Sequence, residues 1–374
     1  MDMNDNSTHD SGVTKALDAP VAPAAEALVR QEDDGVRCMA CAHQCRIQPG
    51  HTGVCRVRFH KDGGLYAPDG YVAGLQIDPV EKKPFYHVLP GSDALSFGML
   101  GCNLQCRFCQ NWISSQLPRT REQNASIRAC TADAIVAAAS DNDTPIMVST
   151  YNEPLITADW AARIFEKASA HNILCGFVSN GFATQETIRF LRPHMDLFNI
   201  DLKCFTDDGY RSLGGRLQPV LDSIAMAAEA GFWVEVVTLV VPGFNDGSAE
   251  LDGIAHFLAG VSRDIPWHVT AFHPTYKMTD NTPTTHDQLA RAHDAGKNAG
   301  LRYVYAGNMA GRIANRENTY CHHCNTLLIQ RRGFHVLENR MHNGTCPDCN
   351  TAIPGRWTRE GASPDISSGF VVSL

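Results

Sequence analysis

Phe97-Gly-Met-Leu-Gly-Cys102-Asn-Leu-Gln-Cys106-Arg-Phe-Cys109-Gln-Asn-Trp112 overlaps an apolar segment, Ala94–Leu100, that reads as a buried strand. The loop that follows carries three thiols in a C-x3-C-x2-C spacing. A four-iron cluster is normally held by four cysteines. Three cysteines on one short loop therefore leave one iron open to a small molecule. Two other sites fit the spacing alone: a tetrahedral zinc, or a cluster that borrows a distant fourth cysteine.

Outward from that loop the chain alternates regularly. Apolar, β-rich runs at Ala94–Leu100, Ile146–Thr150, Ile173–Val178, Leu197–Ile200, Trp233–Val241, Trp267–Phe272 and Leu301–Tyr305 read as strands. Helical patterns at Thr131–Ser140, Ala158–Ala170, Gln185–Leu191, Gln218–Ala230, Ala249–Val261 and His286–Ala299 separate them. Alternation of this kind predicts an α/β fold, a parallel sheet of βαβ units wound right-handed into a complete or partial barrel over residues 93–307. Six successive strands end in polar tails: Cys102–Cys106, Thr150–Glu153, Ser179-Asn180-Gly181, Asp201-Leu-Lys203, Val241–Asp246 and His273–Lys277. Each tail alone has an ordinary explanation as a turn or a helix cap. Together they fit one shared pocket at the C-terminal face of a barrel.

Two more cysteine modules flank the barrel. Cys38-x2-Cys41-x3-Cys45-x9-Cys55 brings four thiolates close enough to close on a zinc or a fully ligated Fe–S cluster, and thiolate softness suits both. His43 and His51 in this loop are read as solvent-facing. The segment Asp78–Gly91 reads as an extended connector packed on the main domain, whose Lys82, Lys83 and His87 could reach substrate but are read as solvated. Together they make an N-terminal four-cysteine metal module and connector over 35–92. At the other end, Cys321-x2-Cys324 and Cys346-x2-Cys349 enclose two short strands, Leu327–Gln330 and Gly333–Leu337, in the pattern of a zinc ribbon over 308–374. Arg331 and Arg332 are read there as a solvated face.

Of 14 cysteines, 11 lie in these three clusters, so metal binding in a reducing cytoplasm is expected rather than a disulfide framework. Residues 1–34 hold eight acids and two bases and read as a disordered acidic tail, with a marginal helix at Ala22–Val29. That tail accounts for most of the net charge of −8, and the near-neutral body argues against nucleic acid as a main partner. No apolar run is long enough to span a membrane.

These motifs combine into a resemblance covering residues 37–357. CxxCxHxCxIxPGxxGxCxxR, DPxEKKPxYHxxPG, GCNxxCxFCQNW, TYNEP, FHPxYKM, YVYxGN, ENTYCxxC and CPxC resemble the radical-SAM enzymes of the AmmeMemoRadiSam system. That family is similar in turn to the pyruvate formate-lyase-activating enzymes. The resemblance implies a partial (βα)6 radical-SAM TIM-like barrel with a [4Fe-4S] cluster on Cys102, Cys106 and Cys109. S-adenosylmethionine (SAM) would chelate the open iron. Glu153 would receive its amino group, Asn180 would contact its ribose or methionine portion, and Lys203 would meet its carboxylate. Asp201 would help bind a monovalent cation, His273 would approach SAM, and Phe108 would exclude water. The resemblance further implies a flavodoxin- or ferredoxin-type reductant and a functional link to Memo-like and AMMECR-like proteins. One departure stands out: TYNEP replaces the Gly-Gly-Glu-Pro of activating enzymes, so Tyr151 and Asn152 leave less backbone freedom.

The expected activity is reductive cleavage of SAM to a 5′-deoxyadenosyl radical that abstracts hydrogen from a substrate. Activation of a glycyl-radical enzyme is the narrower alternative. A non-catalytic metalloprotein serving as scaffold or redox sensor is the alternative from a different class.

Overall fold

The computed structural model describes residues 19–120, 126–313 and 315–358, with the backbone of Phe370–Val371. Seven strands run parallel in chain order: β2 (Asp93–Gly98), β3 (Ile146–Ser149), β4 (Leu174–Ser179), β5 (Leu197–Asp201), β6 (Trp233–Val240), β7 (Trp267–Ala271) and β8 (Val304–Gly307). The preceding strand, β1 (Gly74–Pro79), pairs antiparallel with β2, and Phe370–Val371 pairs antiparallel with β1. Between the parallel strands lie α1 (Ala132–Asp141), α2 (Ala158–Ser169), α3 (Gln185–Leu191), α4 (Leu217–Glu229), α5 (Ser248–Val261) and α6 (His286–Asn298). This is the predicted alternation, displaced by a few residues at most.

Local chemistry explains the elements. All four residues of β3 are buried, which is why a parallel strand reads as an unbroken apolar run. Three helices start where threonines accept orphan amides: Thr131 from Ala134, Thr184 from Thr187, and Thr285 in a capping box with Gln288. α2 buries Trp160, Ile164 and Phe165 against the sheet, each worth roughly 1.5–3 kcal/mol.

The sheet stays open, with β8 at one edge. An open sheet leaves its inner face to be covered by something else. The segment 80–91 does this: Val80, Phe85, Val88 and Leu89 pack on Ala94, Ile146, Val148 and Leu197. Glu235, buried within β6, accepts the backbone amides of Tyr86 at 3.0 Å and His87 at 2.9 Å. The expectation of solvated side chains holds for Lys82, which is exposed, and is corrected for Lys83 and His87, which are buried. Apolar side chains and a buried carboxylate pull the segment inward.

The C-terminal module follows it. Its hairpin (Leu327–Arg332 and His335–Asn339) sends Arg331 inward, where it donates to the Tyr86 carbonyl at 2.8 Å and to Thr319 Oγ1 at 2.7 Å. Arg331 is thus a buried tether and not a solvated face.

The N-terminal boundary also moves. Residues 1–18 of the expected tail lie outside the described residues. From residue 19 the chain is ordered into the fold, and no α-helix forms over Ala22–Val29. Val21–Pro23 pairs with Gly64–Pro68, Val29–Glu32 pairs with Gly35–Cys38, and Leu28 is fully buried. Two anchors outweigh the polar composition: the Leu28 side chain and the Ala25 amide, which donates to Asp159 at 2.7 Å.

His87 donates from Nδ1 to the Pro354 carbonyl, and its Nε2 accepts from the Tyr305 hydroxyl. Burial holds it neutral and lowers its pKa from 6.5 to about 4. Below pH ~6.5 the unfolded chain takes up a proton that the folded chain refuses. This contribution is whole above pH ~6.5 and is lost as pH falls toward ~4, by about 3 kcal/mol in all. Denaturant unfolding across this range should show His87→Gln losing less stability with acid than the parent chain.

Candidate active site

Residues from all seven parallel strands or the loops at their C-terminal ends line one cavity of about 380 Å³. That convergence of first and last strands means the open sheet curves into a partial barrel. The size suits a small ligand. Cys102, Cys106 and Cys109 enter from the loop after β2, and Thr150–Glu153 from the loop after β3. Asn180 follows from β4, with Asp201 and Lys203 from β5.

The cysteine loop is held from several sides. The Leu104 amide donates to Cys102 Sγ at 3.3 Å, and Cys109 Sγ lies 3.2 Å from Ser115 Oγ. Phe108 is buried against Phe244. Burial pushes the Cys102 thiol well up, and nearby Glu153 adds to this. Burial pushes Cys106 up to about 11, with Lys203 opposing. Three sulfurs and no fourth cysteine among the lining residues fit a cluster with one open iron.

Glu153 is 2% exposed. Its Oε1 accepts from Ser179 Oγ at 2.6 Å and the Leu155 amide at 3.0 Å, and its Oε2 accepts from the Asn180 amide at 2.8 Å. Burial still raises its pKa to about 7 against these donors. Asn180 is largely committed to the loop, donating to Asn103 Oδ1 at 2.6 Å and accepting from the Phe182 amide at 3.0 Å. Lys203 Nζ donates to Asp201 at 2.9 Å, which leaves the ammonium two further donors. The Asn245 side chain binds the Lys203 carbonyl at 2.7 Å, so the fifth polar tail positions lysine from outside the pocket.

His273 is exposed, 3.3 Å from the Asn308 carbonyl, and is not among the residues lining the cavity. Its neighbours instead cover the cysteine loop: Tyr276 stacks on Trp112 at 5.2 Å, and the Lys277 amide donates to the Arg107 carbonyl. In place of His273 the cavity takes His268 and Thr270 from within β7, Tyr305 from β8, and Phe334 from the C-terminal hairpin. His268 Nε2 lies 2.6 Å from Glu235. An apolar strand run conceals such residues, although period-two alternation along Trp267–Ala271 was a usable signal.

The two flanking modules differ. Sγ atoms of Cys321, Cys324, Cys346 and Cys349 all lie within 4.8 Å of one another, with contacts of 3.6 Å for Cys321–Cys349 and Cys324–Cys346. Cys38, Cys41 and Cys55 are buried around a small pocket with partly buried Cys45. His43 is half-buried and lies 3.0 Å from the Asn103 carbonyl, so it does not face solvent as expected. His51 is exposed.

Comparison with known proteins agrees with this geometry. The family description "Radical SAM superfamily" matches residues 98–258. The uncharacterized protein MJ0808 of Methanocaldococcus jannaschii is 35% identical over 326 residues, covering 86% of this chain and 96% of that one. The benzylsuccinate synthase activating enzyme of Thauera aromatica is 29% identical over 110 residues, 28% of this chain and 33% of that one. A solved domain of pyruvate-formate lyase-activating enzyme from Bacteroides vulgatus aligns at TM-score 0.39 and 18% identity, covering 43% of this chain and 98% of that one. Among the described residues no helix is long and apolar enough to cross a membrane. The three-cysteine loop, the carboxylate beside it, the family match and the relative covered over most of its length lead to one conclusion: the chain belongs to the radical SAM superfamily and is a radical SAM enzyme.

Proposed function

We propose that the cavity binds SAM beside a four-iron cluster held by Cys102, Cys106 and Cys109, and that the chain works in an AmmeMemoRadiSam-type system. When bound, the pair supplies reductive cleavage of SAM to methionine and a 5′-deoxyadenosyl radical that takes a hydrogen atom from the substrate. Glu153 carries the assignment. Its Oε2 has one donor only and lines the cavity beside the three sulfurs, so it retains acceptor capacity for an ammonium group. Lys203, clamped by Asp201, offers donors to a carboxylate across the same space. Asp201 serves this clamp, which leaves less of its carboxylate for a cation. Asn180 acts through Asn103 and the Cys102 loop. Phe108 and Phe334 limit access of water. The motif combination spanning residues 37–357 supports the narrower family. It also supports a flavodoxin- or ferredoxin-type electron donor, with Memo-like and AMMECR-like proteins as functional partners. The 3.6 Å sulfur contacts suit one zinc in the C-terminal ribbon, because bonds of about 2.3 Å in a tetrahedron set sulfurs about 3.8 Å apart.

Anaerobically reconstituted protein with dithionite should form 5′-deoxyadenosine from SAM, and Cys106→Ala should form none. Undiminished cleavage by that variant would remove the assignment. Calorimetry should find SAM binding tightening as pH rises from about 6 to 8, because Glu153, pushed up to about 7 by burial, must ionise to meet an ammonium. Glu153→Gln should flatten that dependence and weaken binding about tenfold or more, the loss of a charged hydrogen bond. Replacing Cys321 and Cys346 together by Ser should remove about one zinc per chain and lower the melting temperature.

A further inference from the structure

We propose that Cys38, Cys41, Cys45 and Cys55 hold a second four-iron cluster, joined through Asn103 to the loop that carries the first. Sulfur spacing is the first argument. At the C-terminal site the sulfurs touch at 3.6 Å, as a single tetrahedral ion requires. Among the described residues the four N-terminal sulfurs do not gather within 4.8 Å in this way. They stand around a small enclosed pocket walled by Ile47, Val54 and Ile156. A cluster that binds one cysteine at each of four irons keeps its sulfurs apart and fills the space between them.

Orphaned donors are the second argument. Arg58 is 1% exposed and lines this pocket. Asp159 takes its terminal nitrogens at 2.6 and 3.3 Å, yet its Nε has no partner. Asn103, 2% exposed, has an unpartnered Nδ2, and its side chain approaches Cys41. Buried N–H groups without acceptors are rare and costly. The sulfurs of a bound anionic cluster supply acceptors for both, and the Arg58 charge offsets that of the thiolates.

Asn103 also indicates what the site does. Its Oδ1 lies 3.8 Å from Cys102 Sγ, so one amide links the two cysteine sets. Cys45 is the part-exposed member of the outer set. One electron passed inward leaves the outer cluster oxidised by one unit and the inner cluster reduced by one. A one-electron carrier of the flavodoxin or ferredoxin class resets the outer cluster. The site itself stands apart from the proposed function, and only the inner end of the relay rests on it.

Metal content, acid-labile sulfide and EPR on anaerobically purified full-length protein test the site. The parent chain should carry about eight iron, eight sulfide and one zinc. A chain with Cys102, Cys106 and Cys109 changed to Ala should keep about four iron and, after dithionite, the EPR signal of a reduced four-iron cluster. About two zinc per chain, or a single iron, in that variant would overturn the second cluster. Should it not fold, Cys38→Ser with Cys41→Ser decides: loss of about four iron with zinc retained supports the site, and unchanged iron refutes it. A parent with about four iron that cleaves SAM would refute the second cluster and leave the proposed function intact. SAM cleavage absent from a parent with about eight iron would do the reverse.

Discussion

An open barrel cannot leave its inner wall to water, and the buried Glu235 carboxylate organises how this one is closed. It accepts from the Tyr86 and His87 amides, from Trp233 Nε1 at 2.9 Å, and lies 2.6 Å from His268 Nε2. Burial alone would raise its pKa, but the hydrogen bonds from His268 and Trp233 hold it below the ordinary carboxylate value. A buried charge satisfied in this way fixes its donors in turn. The segment 80–91 is thereby drawn across the interior, and with it come Lys83 and Tyr86, which line the cavity. The C-terminal hairpin then packs on that segment through Arg331, whose guanidinium lies 4.3 Å from the Tyr86 ring. The cavity wall is therefore a chain of dependencies running from β6 to the ribbon.

A second set of buried polar contacts ties the N-terminal module to the same barrel. Arg58 and Asp159 are both almost fully buried, and losing one partner of such a pair typically costs about 3–5 kcal/mol. Thr184 and Thr187 donate to the Met39 carbonyl at 2.6 and 2.9 Å, anchoring the first cysteine turn on α3. The cysteine module is thus built into the barrel surface, with Asn103 between it and the Cys102 loop.

The strands and helices were legible because buried parallel strands read as continuous apolar runs and three of the six helices open on threonine caps. The pocket was legible at its first four strand ends, where cysteine, carboxylate and lysine cluster in sequence as well as in space. What escaped had a common cause. Lys83, His87 and Arg331 are polar residues that tertiary partners bury, and single-sequence polarity assigns them to solvent. His268 and Thr270 lie inside an apolar strand and point to the cavity through its alternation. Leu28 is a lone apolar anchor in a polar stretch. His273 was misplaced because its strand end folds over the cysteine loop instead of into the cavity.

Tyr151 shows how a local departure from a family pattern is absorbed. Its φ of 69° is the left-handed conformation that glycine adopts freely and a bulky residue adopts at some cost. The turn is nevertheless held. The Tyr151 hydroxyl accepts from Lys83 Nζ at 3.0 Å and lies 3.1 Å from Gln76 Oε1, while the Tyr151 carbonyl accepts from Ser114 at 2.8 Å. Gly98 makes room for it, since a Cβ there would overlap the Thr150 carbonyl oxygen and the Tyr151 side chain. Lys83 is itself clamped by Asp78 at 2.9 Å, so the connector that closes the barrel also holds the strained turn from which Glu153 reaches the cavity. The present chain holds this left-handed turn with a tyrosine and a buried lysine instead of a glycine. The orientation of Glu153 therefore depends on the same segment that Glu235 draws inward.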